Sequence, residues 1–135
     1  MSIALLTITH ERIGEDIFGT ACQILGPSRV PVRHFRFASE DAPEKLEADI
    51  LAAVAELDEG SGVLVLSDLF GATPCNIARR LTRAHNVHVL SGLNLPMMLR
   101  VLQYANRDMS LDELAARAED AGRIGVVACR PEQPD

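Results

Sequence analysis

The residues of this chain best suited to chemistry near neutral pH stand in three short polar loops. Thr9-His10-Glu11 follows one apolar run, Ser67-Asp68-Leu69-Phe70-Gly71-Ala72-Thr73-Pro74 follows a second, and Ser91-Gly92-Leu93-Asn94 follows a third. A solvent-facing imidazole at His10 has a ring nitrogen available at physiological pH. If the first two runs are neighbouring strands, the Asp68 carboxylate can accept a hydrogen bond from one nitrogen of that ring. Such a bond fixes the tautomer and leaves the second nitrogen as a nucleophile, the orienting role an aspartate plays in a catalytic triad. Thr73 ahead of Pro74 reads as an N-cap followed by a first helical residue. The open amides of that turn, a permissive Gly71 and the Thr73 hydroxyl would make a phosphate cradle. Positioning and charge stabilisation are most of what phosphoryl transfer asks of a protein.

Each feature also has an ordinary explanation. A lone histidine after a strand is more often a surface or capping residue, and an aspartate at a strand end is usually turn chemistry. Thr-Pro at a helix start is common capping. His34, His85 and His88 lie in or beside expected strands and read as structural or solvated. The convergence of all three loops is what points to an anion or phosphate site.

The elements that must position these loops follow from periodicity. Ile3 to Ile8 is a nearly continuous apolar run, as expected of a parallel strand covered on both faces. Ile13, Ile17, Ala21 and Ile24 then fall on one helical face, which Gly26-Pro27 ends. Val32 to Phe37 is a more polar strand, expected nearer an edge. Leu46, Ile50, Val54 and Leu57 mark a second helix closed by Gly60 and Gly62. Val63 to Leu66 is wholly apolar and expected at the centre. A helix from about Pro74 to Arg83, a strand Val87 to Leu90 and a helix Asn94 to Tyr104 follow, with Pro96 tolerated in the first turn. Ser110-Leu111-Asp112-Glu113 has the capping-box pattern, Gly122 is expected to stop that helix, and Ile124 to Cys129 is expected to be a short last edge strand.

Strands alternating with helices imply an open, doubly wound α/β domain with a mostly parallel sheet and helices on both faces. Residues 1–130 form this single domain, with a disordered tail expected over 131–135. In such sheets ligands bind beyond the carboxyl ends of the strands, where the strand order reverses. The three polar loops lie at that end.

Composition narrows the function classes. A chain of 135 residues is long enough to bury a core without disulfides or metal. Its net charge of −6 opposes binding to a phosphate backbone or an anionic membrane, and 4% aromatics leave little base-stacking surface. No nucleic acid, metal or cofactor is expected. Cys22, Cys75 and Cys129 are odd in number and lack CxxC spacing, so they read as reduced thiols of a cytoplasmic protein. No run approaches the ~20 apolar residues of a membrane span, and no basic segment precedes the apolar start, so neither membrane insertion nor a leader peptide is expected.

The three segments, Ile3 to His10, Val63 to Asn76 and Ser91 to Met97, taken together and in this order, resemble the mannose-type IIA component of the bacterial phosphoenolpyruvate-dependent sugar phosphotransferase system. The similarity runs on to Gly122-Arg123-Ile124-Gly125-Val126. It implies that His10 is the phosphorylated histidine and Asp68 its orienting carboxylate. It places Gly71, Ala72 and Thr73 in the phosphate-binding turn and the loop around Asn94 beside it. It implies a donor, the histidine phosphocarrier protein HPr, a IIB-type protein acceptor, and a homodimer whose last strand pairs across the subunit boundary. Two positions depart from the pattern: Ala72 where a second glycine is frequent, and Glu11 where glycine is common, which puts a negative charge near the phosphate. Two rival readings are a regulatory binding module whose partners depend on His10 phosphorylation, and a flavin- or nucleotide-binding α/β domain. The second rival lacks GxGxxG, a GK[ST] loop and the aromatics that sandwich a flavin.

Overall fold

The computed structural model describes residues 2–38, 42–71, 73–83 and 86–131. The elements run β1 (Ala4–His10), α1 (Ile13–Leu25), β2 (Val32–Phe37), α2 (Pro43–Leu57), β3 (Val63–Ser67), α3 (Thr73–Leu81), β4 (Val87–Leu90), α4 (Leu95–Tyr104) and α5 (Leu111–Ile124). All strands are parallel in the order β2-β1-β3-β4, so the two most apolar runs lie side by side at the centre. The more polar β2 takes an edge, as its composition implies. The chain departs from β1 to one side for β2 and to the other for β3, which puts the topological switch point between β1 and β3.

Alternation along the strands divides the core. Ile3, Leu5, Leu64 and Leu66 face a cluster with residues of α1, α4 and α5, while Ala4, Leu6, Ile8, Val63 and Val65 face α2 and α3. This two-sided burial is why β1 and β3 read as continuous apolar runs rather than as alternating ones. The helix ends follow local chemistry. Gly26 closes α1 at φ 97°, Asp58 Oδ1 accepts from the amides of Gly60 and Gly62 after α2, and Ser110 Oγ accepts from Glu113 N at 3.1 Å to open α5. No described helix is long and apolar enough to cross a membrane.

Two expectations are corrected. Gly122 does not stop α5, which continues to Ile124. Instead it lets α5 approach α4, because a Cβ there would stand 2.9 Å from Met97 Cε. The expected last strand from Ile124 to Cys129 is not formed: Ile124 ends α5, and residues 125–130 pair with no strand. A strand takes its hydrogen bonds from a neighbouring strand, and none of the described strands pairs with this segment. Ile124, Val126 and Val127 are left 60%, 80% and 64% exposed.

Candidate functional site

The site begins with the ends of β1 and β3. In β1 only the last residue, His10, escapes full burial, and Asp68 is the first residue beyond β3. The pairing of Ile8 with Ser67 brings the two strand ends level. Asp68 Oδ2 then accepts from both the backbone amide and ring Nδ1 of His10, each at 3.0 Å. The amide can only donate, so Oδ2 is an acceptor. An ionised carboxylate, which accepts only, requires the proton of a neutral ring to sit on Nδ1. Nε2 keeps its lone pair. The His10 side chain is 39% exposed while that of Asp68 is only 10% exposed, so the carboxylate is sheltered and the imidazole reachable.

Other contacts complete the geometry. Phe37, at the end of β2 and in register with His10, meets the imidazole edge to face at a centroid distance of 5.5 Å. Asp68 Oδ1 and Ser67 Oγ are buried and have no hydrogen-bond partner among the described residues. Orphaned buried oxygens are costly, and each calls for a physical explanation. Nearby cations are already engaged: Arg36 holds Glu15 through two bonds of 2.6 and 3.0 Å, and Arg12 lies 3.4 Å from the same carboxylate. The Arg36 hydrogen bonds draw the Glu15 pKa down, and Glu15 in turn raises that of Arg36.

The second and third loops fall at the same end of the sheet. Gly71 has φ +83° with open space where a Cβ would be, so glycine serves the left-handed turn rather than a close approach. The helix α3 begins at Thr73; Ala72 and the Thr73 side chain lie outside the described residues, as does His85. Leu93 N donates to Ser67 O at 3.0 Å, tying the loop after β4 to the end of β3. Asn94 belongs to that loop, but its side chain serves the scaffold. Its Oδ1 accepts from Met97 N to cap α4, and its Nδ2 donates to Gly122 O in α5, both at 3.0 Å. His34 bonds Thr7 Oγ1 at 2.7 Å beneath Phe18, and His88 lies 3.4 Å from Asp112, so neither joins His10. Sequence reasoning missed Phe37, whose signal was an aromatic at the end of the strand expected beside β1. It also missed the bond from Gly14 N to Thr9 Oγ1.

Known proteins are similar to this chain in sequence and in fold. The family model of the fructose IIA component of the phosphotransferase system matches residues 4–119. The mannose-specific EIIAB component of Escherichia coli K12 is 35% identical over 131 residues; the match covers 96% of this chain but 40% of that relative. The mannose/sorbose-specific IIA subunit from Enterococcus faecalis superposes with a TM-score of 0.84 at 28% identity, covering all of both chains. A component EIIA from Streptococcus agalactiae shares the fold, with a TM-score of 0.82 at 23% identity over 93% of this chain and 96% of its own. With the family model spanning both strand ends that bring His10 to Asp68, the chain belongs to the mannose/fructose-type IIA components of the sugar phosphotransferase system.

Proposed function

We propose that this chain is a cytoplasmic phosphoryl carrier that takes phosphate from a phospho-HPr-like donor onto His10 Nε2 and passes it to a IIB-like protein acceptor, in sugar uptake or its regulation. The observation that carries this reading is the shared Asp68 Oδ2, which holds both the amide and Nδ1 of His10. The Nε2 lone pair forms the new N–P bond while the donor's bond to phosphorus breaks, and the leaving nitrogen keeps that electron pair. The Nδ1 proton stays in place. The ring becomes cationic as phosphate arrives, and the Asp68 carboxylate stabilises that charge. On this reading the turn of Gly71, Ala72 and Thr73 at the start of α3 cradles the phosphoryl oxygens, since a helix N-terminus offers unpaired amides and a positive dipole end. Asn94 contributes by holding its loop, through the bonds to Met97 and Gly122.

The direct test is incubation with phosphoenolpyruvate, enzyme I and HPr, followed by intact mass under neutral conditions. One acid-labile phosphate is expected, mapped to His10. Phosphate mapped to any other histidine defeats the proposal.

The homodimer implied by the resemblance belongs to the same proposal. The exposed apolar stretch Ile124, Val126 and Val127 and the open edge of β4 both await a neighbour. Light scattering at micromolar concentration should give twice the chain mass of 14.7 kDa. A monomer would remove the dimer and leave the carrier reading standing.

A further inference from the structure

The turn that delivers His10 to Asp68 is held in an unfavourable backbone conformation. Glu11 has φ +48° and is the one non-glycine residue with positive φ among the described residues. An L-residue there crowds its Cβ against its own backbone, and such outliers persist only where the surroundings over-determine them. The candidate restraint is close by. Arg12, the residue that precedes α1, makes no side-chain cap, yet the Gly14 amide in the first turn is satisfied. Its acceptor is Thr9 Oγ1, at 3.0 Å, from the strand side of the turn. Thr9 is 1% exposed, so this bond is shielded from water. Gly14 is small by necessity: a Cβ would lie 2.8 Å from Thr7 Cβ and 3.3 Å from Thr9 Cγ2. The clasp therefore spans residues 9 to 14, with His10 and the strained Glu11 inside it.

We propose that Thr9 is a positioning residue: by holding the Gly14 amide it keeps Glu11 in the left-handed region, which seats the His10 amide and Nδ1 on Asp68 Oδ2. Thr9 touches no reacting atom and acts through the backbone. Without its oxygen, the Gly14 amide loses its acceptor and Glu11 relaxes toward negative φ. Because His10 precedes Glu11 directly, that relaxation turns the histidine away from Asp68. The ring then loses its fixed tautomer. A glycine at position 11 needs no restraint to adopt φ +48°, so it should make the clasp dispensable.

The phosphoryl-transfer half of the test rests on the proposed carrier function, while the spectroscopic half does not. The variants are Thr9→Val, which keeps the shape without the acceptor, Thr9→Ser, which keeps the acceptor, and Thr9→Val combined with Glu11→Gly. Imidazole nitrogen shifts of His10 report the tautomer, and the rate from phospho-HPr reports transfer. In Thr9→Val the His10 ring should pass from Nδ1–H alone to a mixture, with transfer slowed roughly 10-fold. Thr9→Ser and the double variant should both recover the wild-type ring spectrum and rate. A Thr9→Val protein with an unchanged ring spectrum overturns the proposal, as does a double variant that fails to recover it. If Thr9→Val alone does not fold, the double variant decides in the same way. A wild-type chain that shows the Nδ1–H tautomer but takes no phosphate defeats the carrier reading and leaves the clasp standing.

Discussion

His10 and His34 stand on adjacent strands, and each is held through Nδ1, but their partners and exposure differ. His10 ends β1, meets a sheltered carboxylate at 3.0 Å and exposes its far nitrogen. His34 lies within β2, meets the Thr7 hydroxyl at 2.7 Å and packs against Phe18 at a centroid distance of 5.0 Å. Thr7 is fully buried, and burial pushes the His34 pKa below its ordinary value, against a smaller opposite pull from the Glu15 charge. A hydroxyl can donate or accept, so it satisfies the ring without fixing its charge. A carboxylate accepts only, so it dictates where the proton sits. The nature of the partner, together with access to Nε2, separates an imidazole fit for chemistry from one that fills space between a strand and a helix.

The strongest way to break this comparison is to remove each ring in turn. His10→Ala should abolish phosphorylation by the phosphoenolpyruvate cascade, whereas His34→Ala should still accept one phosphate on His10. Intact mass of both variants checks this, and labelling of His10→Ala would end the distinction. The next largest effect is expected at the partner. Asp68→Asn keeps the shape but can turn an amide N–H toward Nδ1, which favours the wrong tautomer, and it removes the charge that supports the cationic ring. Transfer should slow at least ~10-fold, equivalent to ~1.4 kcal/mol of barrier, with the thermal midpoint little changed. Wild-type rates in stopped transfer assays would reduce Asp68 to a turn residue.

The smallest effect sharpens the His34 side. Because the fold favours its neutral ring, the unfolded chain takes up a proton first as pH falls below the ordinary value of 6.5. Stability carried by neutral His34 is therefore present above that pH and lost on acidification. His34→Asn, whose amide can keep a bond to Thr7 without titrating, should flatten the decline between roughly pH 7 and 5. Glu15 also loses its favourable pairing with Arg36 as acid is added, but at the lower pH where carboxylates titrate. Denaturant midpoints across that range separate the two groups, and equal slopes for wild type and variant would assign the decline elsewhere.

Much of this protein was decided within short stretches of chain. The continuous apolar runs at Ile3–Ile8 and Val63–Leu66 identify central strands because burial on both faces suppresses alternation. Helical spacing and a glycine stop gave the bounds of α1, whereas α2 was located but opens at Pro43, ahead of Leu46, and is capped by Asp58 rather than by Gly60. The polar loops collected at one end because strand ends in a parallel sheet do so. The pairing of His10 with Asp68 could be suspected, since both close adjacent central strands. What the tertiary structure alone decided depends on atoms far apart in sequence. One Asp68 oxygen serves both the amide and the ring of a residue 58 positions away, which requires the β1–β3 register as well as the loop conformation. Phe37 reaches the same ring only through the β1–β2 register. Gly122, expected as a stop, became a contact because its missing Cβ was needed against Met97. Residues 124–129 have the composition of a strand and did not form one. Composition measures what a segment prefers, whereas a strand exists only where another strand supplies its hydrogen bonds.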